Sequence, residues 1–379
     1  MGSWTAERLL DEIALLGTRG LPRERYFAEL APRLRRAVDS DATCWHTLDP
    51  HTRLMTSDAP AELVTSGVFA DDTVAAAGEL MVRSEYLVED YNSFAQLAAR
   101  RAPVGILELA TRGRPERSAR YRDLLQPAGI PHELRAAFVT RGRAWGAVHI
   151  ARREGAAPFT DRDAAVLGKV AGAIAQGIRA SLRFDAARRG DGVAAPGMIV
   201  LDARDDVELI TPPAVELLDA MRSPTGDPQH VPSAVLGLAR FARRGGPEVV
   251  TVPSELGWLT LHASLPEGEA GGRVAIVVEP AVSRQSAILR LELHGATERE
   301  REVATLLARG LGTPEIAEAL VISPHTVQDH VKALFEKVGV SSRQELVGRV
   351  FLEEYLPEVA DGTPLTSAGR FEERPAVRS

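Results

Sequence analysis

Apolar positions recur at helical spacing over Ala6–Leu16 and Arg23–Val38, then give way to two short apolar runs within ATCWHTLDPHTRLMTSD, separated by the turn-forming Asp49-Pro50. The spacing predicts two helices and then a hairpin. Residues 60–125 fit no single pattern. Further on, HELRAAFVTRGRAWGAVHIARR contains two strand-like runs around Thr140-Arg141-Gly142, and the apolar stretch after it predicts a long helix capped by Thr160, with Asp161 and Asp163 in its first turn. Ala186–Pro196, AARRGDGVAAP, is small, polar and turn-forming, which predicts a linker. GMIVLDARDDVELITPPAVELLD then reads as strand, Asp-rich turn, strand and helix, and PEVVTVPSELGWLTLHASLPEGEAGGRVAIVVEP as three β-branched runs between Gly- and Pro-rich turns. SRQSAILRLELH follows with Ile288, Leu289, Leu291 and Leu293 free to dock, and after Leu356 no period survives, so 357–379 is expected to be disordered.

Between these last two, residues 295–352 are punctuated into four short helices. Thr297 and Glu300 form a capping box, and Gly310 ends the first helix. Thr313 caps the second, with Pro314 at its first position and Ile316, Ala317 and Leu320 on one stripe. Ser323 caps a third that runs to Val338 and stops at Gly339, and Ser342 with Glu345 opens the fourth as a second capping box. A short helix, a tight turn and a longer helix form the layout of a helix-turn-helix, whose second helix enters the major groove. At 100° per residue, Val327, Val331, Leu334 and Val338 share one face and must point to the core. His325, Gln328, Asp329 and Lys332 lie opposite, while Thr326, His330 and Lys337 share a flank, so base edges would be met at the centre and phosphates at the side.

Composition narrows the function. The 379 residues are 45% hydrophobic and 26% charged, which is globular composition and long enough for two or three domains. The formal charge of −7 argues against non-specific coating of nucleic acid or membrane, but leaves room for one DNA-binding face. Cys44 is the single cysteine, which excludes an intramolecular disulfide and a Cys-based zinc cage and fits a reducing, cytoplasmic setting. The first residues carry acids inside their apolar stretch, and no window approaches the roughly 18–20 apolar residues of a membrane span, so neither export signal nor anchor is expected.

Three resemblances follow. The strand, tight turn, W-G-x-x-x-I strand, P-F-T-x-x-D and long apolar helix resemble the end of a GAF domain, covering roughly 22–183. The strand pair, helices and three-strand meander over about 197–282, with G-W-L-T-L-H-A-S as its most distinctive piece, look like a PAS domain. T-E-R-E-R-E-V, L-A-R-G-L, E-I-A-E-A-L, I-S-P-H-T-V-Q-D-H-V, E-K-V-G-V and S-R-Q-E-L-V resemble the LuxR-type helix-turn-helix over about 290–356. The implied architecture is α+β GAF-like and PAS-like sensor domains (1–183 and 197–283, joined by a linker at 184–196), a linker helix at 284–294, and an all-α four-helix DNA-binding domain at 295–356. By the LuxR resemblance, Gln328, Asp329 and Lys332 reach base edges, and Thr313, His325, Thr326, His330, Lys337 and Arg343 hold backbone phosphates of double-stranded DNA. Gln328 stands where many members carry Lys, and Pro314 replaces a polar residue, so a basic contact is missing and a modest affinity is implied. Asp329 either accepts from a cytosine amino group or excludes other sequences by repulsion. On the fourth helix, Leu346 with Val350 and Val347 with Phe351 make two apolar stripes, more than one small core usually takes; Val347, Val350 and Phe351 are therefore expected to form a homodimer contact.

The expected function is a sequence-specific transcription regulator whose input is a small ligand or a protein partner. GAF and PAS folds enclose cavities, so a small-molecule pocket lined by Trp45, Tyr86, Tyr91, Phe94 and Phe138 is one expectation and simple core packing of those rings the other. In a rival reading both N-terminal domains are ligand-free dimerisation scaffolds. In another the GAF-like segment is an enzyme or photosensor, with Cys44 as its attachment or redox residue. No catalytic constellation, cofactor motif or metal site is read: His132-Glu133 lacks a second His, and Gly168-Lys169 lacks the rest of a phosphate loop. Cys44, His46 and His149 read better as buried strand residues than as metal or haem ligands, and the arginines at 112, 114, 117, 120 and 122 better as a solvated face than as an anion site.

Overall fold

The computed structural model describes residues 2–59, 74–187, 195–221, 231–246, 248–265, 272–281 and 283–352. The tail at 357–379, the centre of the linker at 184–196 and the side chain of Phe351 lie outside the described residues. The chain divides into two compact units, Met1–Pro280 and Ala281–Ser379. No helix among the described residues is long and apolar enough to cross a membrane.

The first unit opens with α1 (Gly2–Gly17) and α2 (Arg23–Arg35), then β1 (Ala42–Leu48) and β2 (Met55–Ala59), which pair as the hairpin the apolar runs predict. After α3 (Val74–Tyr86), α4 (Phe94–Ala98) and the short β3 (Val104–Ile106) come β4 (His132–Thr140) and β5 (Arg143–Arg152). Their two-residue turn places Arg141 at φ 52° and Gly142 at φ 74°, the left-handed pair that suits the twist of a tight hairpin. The sheet runs β2-β1-β5-β4-β3, all antiparallel. The long α6 (Asp161–Ala187) crosses it, with a four-residue helical turn, α5 (Leu107–Ala110), before β4.

Strand alternation divides the chemistry of this sheet. On one face Trp45 stacks between Phe27 and Phe138, at ring separations of 5.6 and 5.7 Å, beneath α2 and α6. Tyr26 sits against Gly177 of α6 so closely that a Cβ there would fall 2.0 Å from its hydroxyl. The other face carries Cys44 and His46 from β1, His149 from β5, and Glu133 and Arg135 from β4, all buried. The five rings offered as a single cavity lining are thereby separated. Trp45 and Phe138 are core residues under the helices, whereas Phe94 and Tyr86 pack on the opposite face and Tyr91 is half-buried beneath Arg117. Of the arginine run, Arg112, Arg114, Arg117 and Arg122 are exposed, as a solvated face requires, whereas Arg120 is corrected: it is fully buried and paired with Glu133.

The second sheet comprises β6 (Gly197–Leu201), β7 (Val207–Ile210), β8 (Val249–Ser254), β9 (Gly257–Ser264) and β10 (Val274–Pro280), in the order β7-β6-β10-β9-β8. Ile199, Leu201, Leu259, Leu261, Ile276 and Val278 face inward, towards α7 (Pro212–Met221) and α8 (Ser233–Ala242). One apolar core spans both sheets. Tyr86 of α3 meets Phe241 of α8 edge to face at 5.2 Å, and Arg244 donates to the carbonyls of Tyr86 and Leu87.

Candidate DNA-binding interface

The second unit begins with α9 (Ser283–Leu293), whose Leu291 enters the core around which α10 (Glu298–Ala308), α11 (Thr313–Leu320), α12 (Pro324–Val338) and α13 (Arg343–Val347) are assembled. The chain continues past α13 as a wider helical turn to Leu352. Val303, Ala304 and Leu307 supply the α10 side of this core, Ile316 and Ala317 the α11 side, and Val327, Val331, Leu334 and Val338 the α12 side. The four α12 residues are those the helical wheel assigns.

Each helix end has an identifiable chemical cause. Thr297 and Glu300 make a complete capping box at α10. At α11 the cap is Gly312 rather than Thr313, because Glu315 reaches back to the Gly312 amide, and Thr313 becomes the first helical residue with Pro314 behind it. Ser323 caps α12 by accepting from the Thr326 amide at 3.0 Å, and Gly339 ends the helix at φ 74°. At α13 only half the expected box forms: Ser342 accepts from the Glu345 amide, but the Glu345 carboxylate turns to the amide and hydroxyl of Ser341, which holds it below the ordinary carboxylate range. Between α11 and α12 the chain turns through Val321, which adopts φ 55° and is 91% exposed. Arg299 fixes this turn by donating to the Leu320 carbonyl.

That frame leaves one face of α12 open. His325, Gln328, Asp329 and Lys332 are all exposed along it, Thr326 and His330 are half-buried at its sides, and none carries apolar bulk. His325 Nδ1 lies 3.1 Å from Asp329 Oδ2, with the two side chains 83% and 67% exposed.

Four sequence-predicted positions are engaged elsewhere. Lys337 does not point outward: its ammonium is held by both carboxylate oxygens of Glu300, at the start of α10. Burial pushes the Glu300 carboxyl up, but hydrogen bonds from Lys337 and the Thr297 amide, with the Lys337 charge, outweigh this and hold it below its ordinary value. Arg343 donates to the Thr313 hydroxyl, so these two predicted phosphate contacts form one pair joining α13 to α11. Val350 is buried in the unit's own core beside Leu346, and only the half-buried Val347 is left of the described dimer stripe. Cys44, His46 and His149, in the other unit, are buried strand residues; no group of three metal-capable side chains occurs among the described residues.

Comparison with known proteins bears on this second unit. Residues 294–350 match the family described as bacterial regulatory proteins, luxR family. Over 76 residues the chain is 43% identical to the transcriptional regulatory protein UhpA of Salmonella typhimurium, covering 20% of this chain and 35% of that one. It is 51% identical over 55 residues to UhpA of Escherichia coli, covering 14% and 28%. Against the probable transcriptional regulatory protein NarL of Mycobacterium tuberculosis it is 43% identical over 58 residues, covering 15% and 27%. The chain thus spans about a third or less of the length of the curated relatives it matches. The crystal structure of the phage VqmA-DPO complex aligns at 19% identity and a TM-score of 0.23, over 43% of this chain and 85% of that one, a likeness too low to assign a fold.

Proposed function

We propose that this chain, whose residues 294–350 form a LuxR-family helix-turn-helix, is a transcription regulator that binds double-stranded DNA sequence-specifically as a homodimer and answers to a small ligand through its N-terminal unit. The observation that carries the DNA-binding part is the open face of α12: four exposed polar side chains on a helix whose opposite face is locked into the core. A helix placed in the major groove needs such a face, since base edges are read by hydrogen-bonding side chains without apolar bulk. In this reading Gln328 and Lys332 reach base edges, and Asp329 accepts from a cytosine amino group or excludes other bases. His325, Thr326, His330 and the Thr313–Arg343 pair lie along the sugar-phosphate path. Lys337 is assigned to the fold instead. The GAF-like and PAS-like reading of the N-terminal unit is supported by its two successive five-stranded antiparallel sheets with helices packed on them.

The test is a binding titration against a selected DNA site and its single-base variants at one salt concentration. Lys332→Ala and Gln328→Ala should each cost on the order of 1–3 kcal/mol and relax the preference at one position, whereas Arg343→Ala should weaken all sequences alike. Equal, sequence-independent losses for all three would sink the assignment of base-facing and phosphate-facing sides.

A further inference from the structure

The face of the first sheet that lies away from α1, α2 and α6 is built as no ordinary core is. Five charged side chains with at most 1% side-chain exposure meet there: Glu85, Asp90, Arg120, Glu133 and Arg135. Arg120 grips Glu133 through two hydrogen bonds of 2.8 and 2.7 Å and donates its backbone amide to Asp90, while Arg135 donates to Glu85 at 2.8 Å and to the Asn92 carbonyl at 2.9 Å. The network is nevertheless unfinished. Three buried N–H groups have no hydrogen-bond partner: Asn92 Nδ2, Arg135 Nε and Arg120 Nη1, which faces Asp90 only at 3.6 Å. His149 turns Nε2 to Glu133 at 3.2 Å, which places the ring proton there and leaves Nδ1 a buried acceptor without a donor. Burying a donor without an acceptor, or an acceptor without a donor, is costly, and four such atoms in one patch is far from the few that a folded domain leaves over.

These atoms come from one neighbourhood. Gly105, Arg135, His149 and Cys44 form a single row across β3, β4, β5 and β1. Asn92 lies over Gly105, where a Cβ would meet its amide at 2.5 Å, and Arg120 joins Glu133 one step along β4. Phe94 roofs the row, with the Arg135 guanidinium 3.7 Å from its ring centre and the His46 ring at 5.5 Å. We propose that this row is a binding site for a small neutral molecule whose oxygen or ring-nitrogen acceptors engage Asn92, Arg120 and Arg135 and whose N–H donates to His149 Nδ1. Charge decides against an anion, because three carboxylates already face two guanidiniums and an anion would add a second excess negative charge with no water to screen it. Burial also keeps the His149 ring towards its neutral form, so it supplies no compensating cation. The site deepens the ligand-responsive reading above and rests on it. It also has a way out, since Glu85, which holds Arg135, precedes Tyr86, which packs on Phe241 and accepts from the Met55 amide.

The experiment uses the full chain and matched probes, acetamide with acetate and nicotinamide with nicotinate, followed by calorimetry and by the ring-nitrogen NMR signals of the histidines. At least one amide should saturate a single site and move the His149 signals, identified by their loss in His149→Gln, while the matching acid binds at least ten-fold more weakly. Asn92→Ala should weaken that amide at least five-fold with an unchanged circular dichroism spectrum. The proposal is overturned if neither amide saturates, if an acid binds as tightly as its amide, or if binding leaves the His149 signals unmoved. DNA binding without probe is measured separately on the same protein. A chain that binds the amide but no DNA keeps the site and loses the regulator reading.

Discussion

Lys337 shows how a cation on the flank of the open face of α12 can be claimed by a carboxylate inside the fold. The carboxylate of Glu300 is fixed in place by its own capping box, so it offers the ammonium a partner at no further ordering cost, and the ion pair closes α12 onto α10. Lys337→Met should therefore destabilise the C-terminal unit by about 1–3 kcal/mol in urea denaturation while leaving the salt dependence of DNA binding unchanged. The pH dependence has a definite sign. Because the folded Glu300 carboxyl is held below its unfolded value, its contribution is present above about pH 4.3 and is lost as the pH falls through the lowered folded value. The wild-type unit should lose stability along that acid limb and the Lys337→Met variant lose less; equal acid limbs in the two proteins would contradict this. The outward face of α12 was legible from a helical wheel, since Gln328, Asp329 and Lys332 need only the period of one helix. Lys337 was not, because its partner lies 37 residues earlier on another helix.

At the scale of elements, boundaries were legible wherever a local cause sets them: Thr297, Ser323 and Gly339 act within four residues of themselves. What stayed hidden was held by distant groups. In α3, α4 and β3 the order comes from Asp90 accepting from Ser118 and Arg120, and from Glu85 holding Arg135, none of which leaves a period in the sequence. Glu133 and Arg135 did leave a trace, as charges at alternate inward positions of an apolar strand, but their pairing partners could not be named from it. Two variants test elements directly. Val321 is a β-branched residue in the left-handed region with no packing to repay it, so Val321→Asn, which tolerates that conformation, should stabilise the unit by about 1 kcal/mol. Gly177→Ala should do the opposite in the N-terminal unit, costing about 1–3 kcal/mol, because the buried Tyr26 ring occupies the position the new methyl needs. Thermal unfolding of full-length variants separates the two, and an unchanged melting temperature for Gly177→Ala would mean α6 and α2 can part without cost.

Charge at the scale of the whole chain makes DNA binding a problem that one copy solves poorly. Residues 184–289 carry nine basic and fourteen acidic side chains, and residues 290–356 eight and eleven, so neither stretch draws DNA from a distance. With Lys337 turned inward, the cationic side chains left to meet DNA from the predicted set are Lys332, on the base-facing side, and Arg343, on the backbone side, and Arg343 already spends one donor on Thr313. Two contacts per copy give weak binding on a single half-site, whereas two linked copies convert the second encounter into an intramolecular one. Full-length protein should therefore protect paired half-sites about 34–36 Å apart, one turn of the duplex. About four cations brought to the duplex per dimer also predict a shallow salt dependence, with log K falling against log salt at a slope of roughly −3 to −4, well short of the −10 of a highly basic repressor. Anisotropy titrations between about 50 and 200 mM salt measure that slope, while footprinting and sedimentation on the same samples give spacing and copy number. A slope steeper than about −6 would mean that basic side chains beyond Lys332 and Arg343 reach the DNA. Protection of single half-sites by a monomer would remove the need for a second copy, and with it the homodimer.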